Sequence, residues 1–214
     1  MSLPSPNFGD RRGGVAPSLV VIHYTAISCA EARARLCDPV AEVSAHWLIS
    51  ETGTAEALVD ERHRAWHAGA GAWAGLDDIN SHSIGIELAN DGQQPFSEPQ
   101  MAALERLLTG ILARWSIPPQ CVIGHSDMAP TRKSDPGPHF DWRRLALQGL
   151  AVWPEPADDD APLAQSLTAI GYPDAPEAAR LTAFRLRFRP WATGPEAPAD
   201  RALAADLARR FGIG

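Results

Sequence analysis

The chain has 214 residues, of which 45% are hydrophobic and 21% charged, and its formal net charge is -7. This length and composition predict a soluble globular protein with room for one full domain and a smaller one. Because the chain is acidic and has no clustered basic stretch, nucleic acid is excluded as an expected partner.

The chain contains no apolar run that suggests export or insertion into a bilayer. Its start, MSLPSPNFGDRRGG, lacks the core of a signal peptide, and no later segment approaches the ~20 apolar residues of a membrane span. We therefore predict no membrane-spanning segment and a cytoplasmic location. The periplasm or cell envelope is the alternative, if a leader has been removed.

The three cysteines, Cys29, Cys37 and Cys121, form an odd set without a close C-x-x-C pair. This pattern predicts reduced structural thiols rather than a disulfide framework or a thiolate zinc site. A cysteine hydrolase with Cys121 as its nucleophile is an alternative, although Cys121 begins an apolar segment and is expected to be packed.

The first regular elements are a strand and a helix. The run LVVIHY, residues 19–24, predicts a buried strand with His23 near its C-terminal end. Ser28 followed by Glu31 has the form of a capping box, which predicts that a helix begins there and ends before Pro39.

A hairpin, a strand and a long helix are predicted next. AHWLIS and ALVD flank the turn-like segment ETGT, and SIGIELA, residues 83–89, predicts a further strand. Ser97 followed by Gln100 again has capping-box form. The apolar positions after this pair fall on one helical face: Leu104, Leu107, Leu108, Ile111, Leu112 and Trp115.

The last strand of the sheet is predicted at CVIGH, residues 121–125. The segment HSDMAPTRKSDPGPHFDW, which continues from its histidine, predicts an ordered loop rather than a regular element because it is rich in proline. Strands and helices thus alternate irregularly along the chain. We predict an α/β fold with a mixed central sheet flanked by helices.

The composition changes at WPEPADDDAP, residues 153–162, where little can be buried. We predict a linker over residues 154–162, between a larger domain of residues 1–153 and a small three-helix domain of residues 163–214. Three amphipathic patterns predict these helices: Leu163, Leu167 and Ile170; Leu181, Phe184 and Phe188; Leu203, Leu207 and Phe211.

Two strand-end histidines and a loop aspartate are candidates for a metal site. His23 or His125 alone is more often a hydrogen-bonded core residue, but Asp135 follows in a loop stiffened by prolines. Two imidazoles and one carboxylate suit zinc, and three protein ligands leave a fourth position for water, as is typical of catalytic sites. The set therefore predicts metal-assisted hydrolysis.

Charged side chains near this set predict acid–base and electrostatic roles. Glu87 shares one face of its strand with Gly85, and it is either half of a buried ion pair or a carboxylate that moves a proton in a cleft. We favour the second because of the candidate metal site. Lys133 and Arg132, which spacing does not distinguish, are candidates for stabilising an oxyanion.

Aromatic and imidazole side chains in AHWLIS and AWHAG are candidates for binding substrate. His46, Trp66 and His67 could pack against sugar or peptide at the border of a cleft. They could equally be core residues or residues that support the ligands, and the sequence does not favour either interpretation.

Five blocks in order, VVIHYTA, AHWLI, AWHAGAGAW, NSHSIGIELAN and VIGHSDMAPTRKSDPGPHFDW, resemble the motifs of the type 2 N-acetylmuramoyl-L-alanine amidases over about residues 6–150. The resemblance implies that His23, His125 and Asp135 bind one Zn²⁺ per chain. It also implies that Glu87 is the catalytic acid/base residue and that Lys133 stabilises the oxyanion.

The activity that this resemblance implies is hydrolysis of the amide bond between N-acetylmuramic acid and L-alanine in peptidoglycan or muropeptides. We further expect the chain to act as a monomer. The same family includes peptidoglycan recognition proteins, some of which bind muropeptides without cutting them because the third metal ligand is missing. A non-catalytic muropeptide-binding module is therefore the alternative, although Asp135 is present.

The predicted small domain of residues 163–214, called the tail below, resembles more weakly the three-helix peptidoglycan-binding domain. LTAIGY is similar to the first helix and turn of that domain, and AARLTAFRLRF is similar to its second helix. The usual Phe-Gln pair is replaced here by Phe184-Arg185, which puts glycan binding by the tail in doubt but not its helical fold.

Overall fold

The strands of the computed structural model, which describes residues 4–155 and 161–212, form one large sheet and one small ribbon. They are β1 (Phe8–Gly9), β2 (Leu19–Tyr24), β3 (Trp47–Ile49), β4 (Ala55–Ala57), β5 (Arg64–Ala65), β6 (Ser83–Leu88) and β7 (Val122–Gly124). The large sheet has the order β4-β3-β6-β2-β7, and β1 pairs with β5. Within the sheet β3, β6, β2 and β7 are parallel, and β4 is antiparallel to β3.

Helices lie on both faces of this sheet. They are α1 (Cys29–Leu36), α2 (Ile79–His82), α3 (Glu98–Trp115), α4 (His125–Met128), α5 (Trp142–Leu147), α6 (Leu163–Ile170), α7 (Glu177–Phe188) and α8 (Pro198–Phe211). A mixed sheet flanked by helices, with further helices at the C-terminus, confirms the predicted fold class. Within the described residues, no helix is long and apolar enough to cross a bilayer.

Helix α3 covers one face of the sheet, and its start is bound to the sheet. The Ser97 hydroxyl accepts a hydrogen bond from the Gln100 backbone N–H at 3.3 Å, which confirms the N-cap. The Gln100 side chain does not return to Ser97 as a capping box requires. Instead its amide donates to the Ile49 and Ala89 carbonyls at 2.9 and 3.0 Å, which joins the helix to the strand ends.

Most of the other predicted elements of the larger domain agree with the structure. The strand over residues 19–24 is confirmed, as is the capping box of Ser28 and Glu31 at the start of α1. The hairpin is confirmed, but its second strand is Ala55–Ala57, earlier than ALVD. The Leu58 and Val59 N–H groups both donate to the His46 carbonyl, so the chain leaves the ladder there.

The prediction for the segment after β7 was wrong in detail. The strand ends at Gly124, and His125 is the first residue of α4 rather than the last residue of a strand. The Asp127 carboxylate accepts the Gly124 N–H at 2.8 Å and so stabilises a helical turn that the prolines did not suggest. Asp141 likewise accepts the Arg144 N–H at the start of α5.

The three helices predicted in the tail are confirmed as α6, α7 and α8. Their apolar side chains, including Phe184 and Leu207, share one core cluster with Leu19, Val21 and Ile123 of the sheet. Residues 156–160 of the predicted linker lie outside the described residues. The domain boundary stays a prediction.

Candidate active site

The candidate site lies where three neighbouring parallel strands end. His23 is near the C-terminal end of β2, and its register partner on β6 is Glu87. His125 directly follows β7. In open α/β sheets, ligands bind in the crevice beyond the carboxyl ends of the strands, so this topology explains why residues distant in sequence meet.

Three predicted ligand atoms converge at this edge. His23 Nδ1 lies 2.9 Å from His125 Nδ1, and Asp135 Oδ2 lies 3.1 Å from the first and 3.0 Å from the second. All three residues are buried. The loop that carries Asp135 is held to α4 because the Ser126 N–H donates to the Asp135 carbonyl at 2.9 Å.

A chain of hydrogen bonds determines which nitrogen of His23 carries the proton. The Ser83 hydroxyl donates to the Ile79 carbonyl at 2.5 Å, so it must accept from His67 Nε2 at 3.2 Å. In a neutral His67 ring, Nδ1 is then an acceptor, and it accepts from His23 Nε2 at 3.0 Å. His23 Nδ1 therefore presents a lone pair to the site.

The second imidazole is oriented by a backbone carbonyl. His125 Nε2 donates to the Ala68 carbonyl at 2.8 Å, which leaves a lone pair on Nδ1 of the neutral ring. Two ring nitrogens and a carboxylate oxygen thus point their lone pairs at one another. Three lone pairs that converge in this way fit a cation, and imidazole nitrogen and carboxylate oxygen are ligand atoms that zinc prefers.

The electrostatics of the site keep these ligands in the forms that bind metal. Burial, reinforced by the neighbouring His125, lowers the pKa of His23 to about 4, so its ring is neutral at pH 7. Burial by itself raises the pKa of Asp135. The two imidazoles, when protonated at low pH, donate hydrogen bonds to the carboxylate and attract it; this effect, from His125 and His23, outweighs burial and holds the pKa of Asp135 well below its usual range.

Glu87 lies beside the ligands and has an unusual carboxylate. Its Oε2 atom is sealed from solvent and has no hydrogen-bond partner within residues 4–155 and 161–212. Burial, with a smaller contribution from the negative charge of Asp135, raises the pKa of Glu87 to about 8, while the charge of Lys133 opposes this shift. A carboxyl group in such an environment can both take up and release a proton near neutral pH.

A cleft of about 430 Å³ contains this site. The contacts of its side chains separate the roles of the two residues predicted to stabilise an oxyanion. Arg132 and Lys133 both line the cleft. The Arg132 guanidinium donates to the Ala68 and Ala70 carbonyls at 2.7 and 2.6 Å, so this donor group is already used in contacts with the backbone. The Lys133 charge instead acts on the pKa of both Glu87 and His23.

The three predicted substrate contacts lie in different places. Trp66 and His67 line the cleft, whereas His46 is fully buried and does not line it. His46 Nδ1 accepts the Gly85 N–H at 2.9 Å, and its Nε2 donates to the His63 carbonyl at 3.0 Å. His46 therefore supports the strands behind the site.

Some residues that shape the site were not recognised in the sequence. Ser83 and Asp127 were not singled out, and Gly85 was noted only for its strand face. A Cβ atom on Gly85 would lie 2.4 Å from the His67 ring, so the ring can reach His23 only over a glycine. A glycine inside an apolar strand is the one sequence signal for such a close approach.

Comparison with known proteins gives consistent results. The family model described as N-acetylmuramoyl-L-alanine amidase matches residues 13–138. N-acetylmuramoyl-L-alanine amidase AmiD of Escherichia coli (strain K12) is 37% identical over 91% of this chain and 83% of the relative. The 1,6-anhydro-N-acetylmuramyl-L-alanine amidase AmpD of Haemophilus influenzae is 33% identical over 66% of this chain and 88% of the relative.

Solved structures of two relatives carry muropeptide ligands. AmiD from E. coli, in complex with the substrate anhydro-N-acetylmuramic acid-L-Ala-D-gamma-Glu-L-Lys, has a TM-score of 0.86 and 34% identity, over 96% of this chain and 94% of that chain. AmpDh3 from Pseudomonas aeruginosa, in complex with anhydromuramic pentapeptide, has a TM-score of 0.84 and 29% identity, over 95% and 96%. With this fold and this site, the chain belongs to the N-acetylmuramoyl-L-alanine amidase family.

Proposed function

We propose that this chain hydrolyses the amide bond between N-acetylmuramic acid and L-alanine in peptidoglycan or muropeptides. The observation that carries the proposal is the convergence of three metal-ligand atoms in one cleft, beside the Glu87 carboxylate, whose Oε2 has no hydrogen-bond partner in the described part of the chain. Named amidases that are similar over most of the chain support the same reaction.

The resident metal in this proposal is one zinc ion, held by His23, His125 and Asp135. Three protein ligands of this kind leave the site open to water or substrate, unlike the closed four-ligand sites that serve structure. When bound, zinc supplies a Lewis acid for the amide carbonyl and lowers the pKa of water from 15.7 to about 7.

Glu87 is the proton carrier. Its carboxylate takes a proton from the water that attacks the amide carbonyl, and it later gives that proton to the nitrogen of the leaving L-alanine. One C–O bond forms, the C–N bond breaks, and the amine leaves neutral. General acid–base catalysis of this kind contributes about 10²- to 10⁴-fold to the rate.

Lys133 stabilises the developing oxyanion. Lys133 lines the cleft and its charge acts on Glu87, so it can place positive charge where the tetrahedral intermediate becomes negative. A donor of this kind is worth about 10²- to 10³-fold in kcat. Arg132, with its guanidinium bound to two carbonyls, holds the cleft wall instead.

The test is the release of free stem peptide from a muropeptide, measured by mass spectrometry alongside metal analysis. In Glu87→Gln we expect turnover to fall by about 10²-fold or more while one zinc per chain is retained. Glu177→Gln, which changes an exposed glutamate at the start of α7, is the matched control and should keep full activity. Wild-type turnover in Glu87→Gln would contradict the proton-carrier role.

The same assay separates the competing functions. A non-catalytic receptor would bind the muropeptide and release no peptide from the zinc-loaded chain. A cysteine hydrolase would resist chelation and lose activity on thiol alkylation. Against it, burial raises the pKa of Cys121, and this partly buried residue packs against the core and is not among the residues that line the cleft.

A further inference from the structure

A buried carboxylate connects the metal site to the C-terminal helices. Asp127 lies in α4, the helix that begins with His125, and it is 0% exposed. Its Oδ2 accepts hydrogen bonds from the Gly124 N–H at 2.8 Å and from Arg187 at 3.0 Å, and its Oδ1 accepts from the Tyr172 hydroxyl at 2.7 Å. Two of these three donors come from the tail.

Arg187 on α7 contacts three elements of the larger domain, namely α4, β7 and α5. It is 3% exposed, and besides its ion pair with Asp127 it donates to the Val122 carbonyl of β7 at 2.8 Å. Its guanidinium also lies 4.5 Å from the ring centroid of Trp142 at the start of α5. A buried arginine with this set of partners fixes the position of the elements around it.

The helix that Asp127 anchors is connected to two of the three ligands. His125 is its first residue, and the Ser126 N–H holds the Asp135 loop through the Asp135 carbonyl. A displacement of α4 would therefore move His125 and Asp135 relative to His23, which is held separately on β2.

The tail also contacts the segment that orients the His125 ring. The Tyr172 ring packs against Trp73 with centroids 5.0 Å apart, and the Ala74 N–H donates to the Gly171 carbonyl at 2.8 Å. Trp73 lies shortly after Ala68 in the same loop, and the Ala68 carbonyl accepts the hydrogen bond from His125 Nε2 that orients this ring.

From these contacts we infer that Arg187 and Tyr172 are positioning residues of the metal site: the C-terminal helices hold α4, through Asp127, in the place where His125 and Asp135 bind metal. The inference rests on the proposed function because it presupposes a metal at these ligands. It gives the tail a role in the site that does not depend on any binding of glycan by the tail.

The test compares two buried arginines of the same helix. Arg187→Met removes the contact with α4, whereas Arg185→Met removes an ion pair with Asp200 that lies entirely within the tail. We expect Arg187→Met to raise the Kd for Zn²⁺ by about 10-fold, the lower end of the 10- to 100-fold that direct partners of metal ligands contribute, because Arg187 acts on His125 one contact further away, through Asp127. Arg185→Met should leave the Kd within about twofold.

Zinc affinity is measured on the full chain by competition with a chromophoric chelator, at a temperature where circular dichroism shows each variant folded. The visible absorption of the Co²⁺-loaded chain gives a second readout, and we expect it to change in Arg187→Met only. An unchanged Kd in Arg187→Met, or an equal rise in both variants, would overturn the inference, the second result because it indicates general destabilisation.

If Arg187→Met does not fold, Tyr172→Phe decides. This variant deletes one hydroxyl and keeps the ring on Trp73, and we expect a rise in Kd of about fivefold, the equivalent of one hydrogen bond. A change within about twofold would overturn the inference. Failure of the unmodified chain to bind Zn²⁺ would instead overturn the proposed function, so the two failures are distinguishable.

Discussion

At the scale of single residues, the site depends on side chains that do not touch the metal position. The lone pair of His23 is set by His67, and the orientation of His67 is set by Ser83 and by the absence of a side chain on Gly85. Side chains that hydrogen-bond to the far nitrogen of a metal-ligating histidine fix its tautomer. The motif blocks identified the ligands, but the tautomer follows only from these hydrogen bonds.

We predict that Ser83→Ala weakens Zn²⁺ binding by about 10-fold, because His67 Nε2 loses its acceptor and the tautomer that presents His23 Nδ1 is no longer favoured. Ser81→Ala is the matched control. Ser81 is also buried, and its hydroxyl contacts Arg12 and Asp78 rather than a histidine. Isothermal titration with Zn²⁺ checks this, and equal affinities in the two variants would rule out the assignment.

At the scale of elements, local sequence rules predicted most boundaries because caps and periodicity act within a few residues. The N-caps at Ser28 and Ser97 are examples. Two of the errors occurred where a distant group takes over a backbone bond, whereas the missed α4 turn depends on the local contact between Asp127 and the Gly124 N–H. His46 ends the hairpin ladder through its carbonyl, and the Gln100 side chain leaves its cap for the sheet.

Ser97→Ala should lower the free energy of unfolding by about 1 kcal/mol, since it leaves an N–H group at the start of α3 without its acceptor. Thr109→Ala, an exposed change in the middle of the same helix, should stay within about 0.5 kcal/mol of the unmodified chain. Urea denaturation measures both. Similar losses in the two variants would contradict a capping role for Ser97.

At the scale of the whole molecule, the tail and the sheet share one core. Phe184 of α7 is fully buried in the cluster that contains Leu19 and Val21 of β2. The amphipathic patterns predicted the tail helices but could not indicate what their apolar faces contact. The sequence was interpreted as two domains, and the shared cluster predicts that they unfold together.

Phe184→Ala should therefore destabilise the whole chain by about 3–5 kcal/mol and keep a single unfolding transition. Calorimetry and hydrogen exchange of β2 and α7 amides check this, and both elements should lose protection equally. Leu147→Ala, an exposed position on α5, is the control and should change stability by less than about 0.5 kcal/mol. Two resolved transitions would show that the tail folds independently.

The sequence by itself determined the type of most elements, the fold class and the family, because periodicity, caps and ordered motif blocks are local patterns. It also singled out His23, His125, Asp135 and Glu87 as a set. Only the tertiary structure decided that His46 supports the site instead of lining it, and that Arg187 reaches the helix of His125. These facts depend on contacts between residues far apart in the chain, which no local pattern encodes.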